Sequence, residues 1–205
     1  NFMEQVIEDV IKVAKEFHNR GWLPATAGNL SVRLDDKRIC ITASGAHKGH
    51  LTEKDFVVVD ENASPLNTHK KPSAETLLHL VVYKNFPDIN AVFHVHTLNS
   101  TLVSRLLKDK VVLKDYELLK AFDGIDTHEA TVEIPIFENM QDMKKLSNII
   151  QKAIEDGEVK YGFLLKSHGI YAWGKDVMDA YIKLEALDFL FDCELKAMHL
   201  ERSGL

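Results

Sequence analysis

Cysteine is nearly missing from this chain: Cys40 and Cys193 are the only two in 205 residues. They are too few and too far apart for a disulfide framework, so at most one bridge is open to the fold and a reducing cytosol is the expected compartment. Positive charge is in deficit, with 25 Lys and Arg against 31 Asp and Glu and a formal charge of -6. Such a chain repels polyphosphate backbones and anionic lipid, which argues against nucleic-acid and membrane partners but leaves room for a local pocket holding one small anion. No apolar run approaches the ~18 residues that span a bilayer. Residues 1–12 carry acidic side chains where a signal peptide has a basic segment. Five prolines and ten glycines form no Pro/Gly/Ser linker, and no internal repeat is visible.

What is there is the composition of an ordinary globular protein, 45% apolar and 27% charged. The length suits one α/β domain over residues 1–205. Val6, Ile7, Val10, Ile11, Ala14 and Phe17 recur at helical spacing over 4–18, up to Gly21 and Pro24. Leu30, Val32 and Leu34 alternate with polar residues, and 39–42 follows the Asp35-Asp36-Lys37 break as the second arm of a hairpin. Thr52 and Asp55 read as a short cap, 56–59 as a strand, and 60–72 as a polar loop or hairpin. Helices are expected over 73–83 with Ser73 as cap, over 100–107 with Asn99 or Ser100 capping, over 141–155 and over 177–200. Short strands are expected at 89–95, 111–113, 131–137, 163–165 and 170–173. Strands and helices do not alternate regularly, which speaks against a doubly wound fold.

The most informative local feature is Val92-Phe93-His94-Val95-His96-Thr97. On a strand, the i,i+2 spacing turns both imidazoles to one face while Val95 faces the other. His168, in Lys-Ser-His-Gly, ends another apolar run, and three neutral imidazoles would bind an ion such as zinc with a coordination position left for substrate or water. The same spacing also occurs in hydrogen-bonded or surface histidines. His18, His47, His50, His69, His79, His128 and His199 carry no comparable pattern; His79 reads as packing on its helix. Glu75 and Glu117 read equally as ligands, proton carriers or exposed charges.

Two small-residue loops, Thr26-Ala27-Gly28-Asn29 and Thr42-Ala43-Ser44-Gly45-Ala46-His47-Lys48-Gly49, flank expected strands. Their glycines let backbone N–H groups converge on an anion, and Lys48 adds positive charge. Neither is a P-loop or a dinucleotide fingerprint, and simple hairpin closure is the competing reading for Gly28 and Gly45. Lys70-Lys71-Pro72-Ser73 adds a further positive, hydroxyl-bearing segment at an expected helix start.

Taken in order, TAGNLS, TASGAHKG, KPSAE, FHVHT and KSHG resemble the class II, zinc-dependent sugar-phosphate aldolase family, also called the aldolase and adducin family, over almost the whole chain. Within it, Tyr116-Glu117-Leu118-Leu119-Lys120 and Pro135-Ile136-Phe137-Glu138-Asn139 resemble a dehydratase subgroup acting on a ketose 1-phosphate. The resemblance implies a three-layer α/β/α sandwich around a mainly antiparallel sheet, assembled as a homotetramer with sites near subunit interfaces. It implies His94, His96 and His168 as ligands of one zinc ion per subunit. It implies Gly28, Asn29, Ser44, Gly45, Lys48 and Ser73 as sugar-phosphate contacts, Glu117 as the acid/base of the dehydratase, and Glu75 as an additional acid/base or ligand. Aldol cleavage or epimerisation by the same ligand set, and a non-enzymatic adducin-like interaction module, are the competing functions.

Overall fold

The computed structural model describes residues 1–66 and 68–204. In chain order the elements are α1 (Phe2–Asn19), β1 (Asn29–Arg33), β2 (Arg38–Thr42), β3 (Phe56–Asp60), α2 (Thr76–Asn85), β4 (Ala91–Val95), α3 (Leu98–Leu106), β5 (Lys110–Lys114), β6 (Thr131–Phe137), α4 (Met143–Glu155), β7 (Gly162–Leu165), β8 (Gly169–Gly174) and α5 (Val177–Arg202). Short 3-10 turns cover Lys48–His50, Glu53–Asp55 and Glu117–Ala121. The strands form one sheet in the order β3-β2-β1-β4-β8-β7-β6-β5. Every pair is antiparallel except β6 with β7.

Strand β4 is buried at all five positions, as expected of a strand covered on both faces. One face packs Leu30, Val32, Phe93 and Val95 against α1, α3 and α5 through Val10, Phe17, Val103, Leu184 and Leu187. The other packs Ile41, Val92, Phe163, Tyr171 and Trp173 against α2 and α4 through Leu78, Val82, Leu146 and Ile150. Two apolar layers on opposite faces of one sheet make the expected α/β/α sandwich.

The β1–β2 hairpin forms where alternation placed it. Asp35 closes it by accepting from the Lys37 N–H at 3.0 Å and from Arg38 Nε at 2.8 Å. Two expected caps differ. Ser73 does not cap α2, which begins at Thr76; its Oγ instead accepts from the Glu75 N–H at 3.2 Å, closing a turn that leaves Glu75 at the cap position. Asn99 and Ser100 lie inside α3, whose cap is Thr97, accepting from the Ser100 N–H at 2.9 Å. At α3 the Thr97 hydroxyl thus takes the orphan N–H that a cap at Asn99 or Ser100 would have served, whereas at α2 no side chain caps the first turn. Asn67, in the expected loop 60–72, lies outside the described residues. Cys40 and Cys193 are both free. Among the described residues no helix is long and apolar enough to cross a membrane.

Candidate metal centre

Cross-strand register builds the site. Asn29 on β1 lies opposite His94 on β4, which lies opposite Tyr171 on β8. Directly opposed residues point to one face, so these three side chains form a row across the middle of the sheet. His96 follows two residues after His94, and their rings sit 4.7 Å apart between centroids. His168 enters from the tight β7–β8 connection, where Ser167 adopts φ 57°. Its ring is 4.8 Å from that of His94 and 4.5 Å from that of His96. Gly169 is needed here because a Cβ would run into the Val95 carbonyl and lie 3.1 Å from His96 Cδ2 and 3.2 Å from His94 Cε1.

Among the described residues, His94, His96 and His168 are the one group of three or more His, Cys, Asp or Glu side chains whose donor atoms lie within 4.8 Å of one another. His94 Nδ1 donates to the Ile170 carbonyl at 3.0 Å, and His168 Nδ1 pairs with Asn139 Oδ1 at 3.0 Å. With Nδ1 carrying the proton, Nε2 keeps its lone pair for a ligand. The Nε2 atoms converge, His94 to His96 at 2.9 Å and His94 to His168 at 3.2 Å. Bonds of about 2.0–2.1 Å to a tetrahedral zinc separate two ring nitrogens by about 3.3 Å. The donor set and its spacing therefore fit such an ion. Burial, reinforced by the neighbouring imidazoles, lowers His94 well below the usual histidine range and His96 to about 3. Both are thus neutral, the form that ligates.

Glu75 is the carboxylate brought to this group. Its oxygens lie 3.6 Å from His94 Nε2 and 3.8 Å from His168 Nε2. Tyr171 Oη donates to Oε1 at 2.6 Å and Asn29 Nδ2 to Oε2 at 3.3 Å. The Tyr171 ring stacks on His94 at 4.1 Å, and burial together with Glu75 pushes its phenol well above its ordinary value.

Lys48 is 3% exposed, a surprise for a residue in a polar loop. Its Nζ donates to the Thr26 carbonyl at 2.8 Å, and burial lowers its pKa against the opposing pull of Glu75. Gly28 has φ 86°, and a Cβ there would collide with Leu23 and the His94 carbonyl. The segment around Ser44 and Gly45 is laced to 71–73: Ser44 N–H donates to the Lys71 carbonyl at 2.9 Å and Ser73 N–H to the Thr42 carbonyl at 3.3 Å. Ser44 and Gly45 are exposed.

Glu117 is not brought to the histidines within one chain. Its side chain is 72% exposed and pairs with Lys120 at 2.6 Å, which holds the carboxyl below its usual range. It lines a groove with Arg20, Trp22, Tyr116 and Phe189, whereas His96 and His168 line a separate cleft of about 680 Å³ with Leu98, Thr101 and Asn139. Sequence reading gave Asn139 and Tyr171 no individual role, since an Asn after a strand and a Tyr within one carry no spacing signal.

His79 is fully buried, and burial lowers its pKa to about 3. A histidine depressed in the folded state contributes stability that is complete above its unfolded pKa of about 6.5 and is lost as pH falls toward about 3. Urea unfolding should therefore show a loss of stability from pH 7 to pH 5 that shrinks when His79 is replaced by Gln; an equal loss in both proteins would contradict this.

The class II aldolase and adducin N-terminal domain model matches residues 8–195. A protein of Pseudomonas aeruginosa (strain UCBPP-PA14) named methylthioribulose-1-phosphate dehydratase is 46% identical over 97% of this chain and 98% of its own. A protein of the same name from Methylococcus capsulatus is 44% identical over 95% of each. Among solved structures, an L-fuculose 1-phosphate aldolase superposes with a TM-score of 0.80 at 25% identity, covering 96% of this chain and 87% of that chain. The L-fuculose-1-phosphate aldolase of Thermus thermophilus shares the fold, with a TM-score of 0.78 at 22% identity over 98% of both chains. With the motifs, the three-layer sandwich and the histidine group in place, this chain belongs to the class II aldolase and adducin family.

Proposed function

We propose that this chain, acting as one domain, dehydrates 5-methylthioribulose 1-phosphate to 2,3-diketo-5-methylthiopentyl 1-phosphate in methionine salvage. The observation that carries the reading is the 46% identity over nearly the full length of proteins bearing that dehydratase name. His94, His96 and His168 would hold one zinc ion per subunit. Bound there, zinc supplies a Lewis acid that stabilises negative charge developing on substrate oxygens.

The substrate carries its carbonyl at C2 and hydroxyls at C3 and C4, so the C3 proton is acidified by the neighbouring carbonyl. Glu117 is the proposed base for that proton and, once protonated, the acid that lets the C4 hydroxyl leave as water. The remaining enol ketonises to the diketone. Because Glu117 stands apart from the histidines in one chain, this role requires a second subunit. The exposed apolar side chains Leu98, Leu102 and Leu106, at i, i+4 and i+8 on α3, support a subunit contact beside the metal cleft that Leu98 lines, and the homotetramer is proposed from the family resemblance. The oligomer is proposed to be cytoplasmic.

Gly28, Asn29, Ser44, Gly45, Lys48 and Ser73 are the proposed sugar-phosphate segment. Replacement of Lys48 by Met, which keeps the buried stem, should raise KM for the phosphorylated substrate by about 10–100-fold, the range of a hydrogen bond to a charged group. An unchanged KM would remove Lys48 from the binding set.

The proximity of Glu75 to His94 and His168 favours one second reading, in which Glu75 is the acting carboxylate and the C3–C4 bond breaks as in an aldolase. Mass-resolved product analysis of the zinc-loaded protein with 5-methylthioribulose 1-phosphate, against a metal-stripped control, separates the two. Metal-dependent loss of one water without carbon-chain cleavage is the expected result. Two smaller carbon fragments would establish aldol cleavage, and no change would favour another substrate or a binding module.

A further inference from the structure

Behind Glu75 runs a buried polar chain of which only Asn29 belongs to the proposed sugar-phosphate segment. Asn29 Nδ2 donates to Glu75 Oε2, and Asn29 Oδ1 is hydrogen bonded to His79 Nε2. His79 Nδ1 lies 2.6 Å from Ser31 Oγ, which lies 2.8 Å from Tyr83 Oη. Asn29, Ser31, His79 and Tyr83 are all buried.

The donor inventory gives this chain a direction. A carboxylate only accepts, so the Asn29 amide must turn its NH₂ toward Glu75 and its oxygen toward His79. His79 Nε2 must then donate. A neutral imidazole carries one N–H, so Nδ1 accepts from the Ser31 hydroxyl, which in turn accepts from Tyr83. Each member fixes the orientation of the next, and the chain ends as an N–H aimed at one Glu75 oxygen while Tyr171 holds the other. Without a donor on its oxygen, the Asn29 amide is free to rotate and turn Oδ1 toward the carboxylate, repelling it.

We propose that His79 is a positioning residue: by locking the Asn29 amide it fixes the Glu75 carboxylate against His94 and His168. The inference concerns the same site and rests on the dehydratase reading for its activity readout.

The test is a double-mutant cycle on the zinc-loaded protein, comparing wild type, His79→Phe, Glu75→Gln and the double variant. Phenylalanine keeps a planar ring in the buried slot but neither donates nor accepts. Outer-shell partners of a metal site typically contribute about 10–100-fold. His79→Phe should accordingly lower kcat by about that factor, with any change in KM arising through the released Asn29 amide and not from a contact of His79 itself. In the Glu75→Gln background the same substitution should have little further effect, because its route of action is gone. An equal fall in both backgrounds, or none in either, overturns the proposal.

His79→Gln is carried through the same cycle in case the phenylalanine variant fails to fold; its amide N–H can still serve Asn29, so its fall should be smaller than that of His79→Phe. Zinc affinity, measured by chelator competition on the same proteins, reads the coupling without turnover. If wild type leaves 5-methylthioribulose 1-phosphate unchanged, the dehydratase reading has failed. The cycle in zinc affinity then decides the positioning role: coupling between positions 79 and 75 upholds it, and strict additivity overturns it.

Discussion

His96→Ala protein is expected to lose tightly held metal and activity together while keeping its fold. His96 stands just past the end of β4, anchored by its backbone N–H to the Trp22 carbonyl at 2.9 Å. Removing its ring therefore leaves the β1–β4–β8 ladder intact. The remaining donors, His94 and His168, are held by the Ile170 carbonyl and Asn139, so they cannot swing to restore a three-nitrogen site. Loss of an outer-shell partner already costs roughly 10–100-fold in affinity or activity, and loss of a direct ligand should exceed that. Elemental analysis after dialysis against a chelator checks the outcome. Full zinc occupancy in the variant would remove His96 from the ligand set, and residual turnover without metal would detach the chemistry from the histidines.

Features that were legible in the sequence are those with a period. The β1–β2 hairpin and the amphipathic α1 repeat at two and 3.6 residues, and the i,i+2 pair His94 and His96 inherits its common face from the strand. His168 could be grouped with them as a third imidazole at the end of an apolar run, but the resemblance carried its assignment, because 74 residues separate it from His94 and no local pattern spans that distance. Contacts set by register and by buried hydrogen bonds left no trace. Nothing in the composition pairs Asn29 with His94 and Tyr171 across three strands. Lys48 read as a loop lysine because its acceptor is a backbone carbonyl, and carbonyls are present at every position. Ser73 was expected as a cap because hydroxyls favour caps; it instead closes a turn just before Glu75, whose carboxylate lies beside His94 and His168, a placement that no propensity encodes. His79 shows the same limit, since a buried histidine on an apolar helix face reads as packing until its two nitrogens are traced.

Glu117→Gln protein is expected to keep its fold and its zinc while kcat falls by about 10²–10⁴-fold, the usual contribution of a positioned general acid–base. Structural cost should be slight: the side chain is largely in solvent, and its ion pair with Lys120 is an exposed i,i+3 contact, of a kind that adds little stability. The amide cannot accept the C3 proton, so the loss belongs to the chemical step. Lys120 holds this carboxyl below its usual range, a poor poise for a base at neutral pH. Packing of Glu117 against a second subunit and substrate would exclude water and raise it again. The acid limb of the kcat profile should report that raised value in wild type and disappear in the glutamine variant. Near-normal turnover with an unchanged acid limb would transfer the proton to Glu75, the one carboxylate among the described residues that a single chain already sets beside His94 and His168.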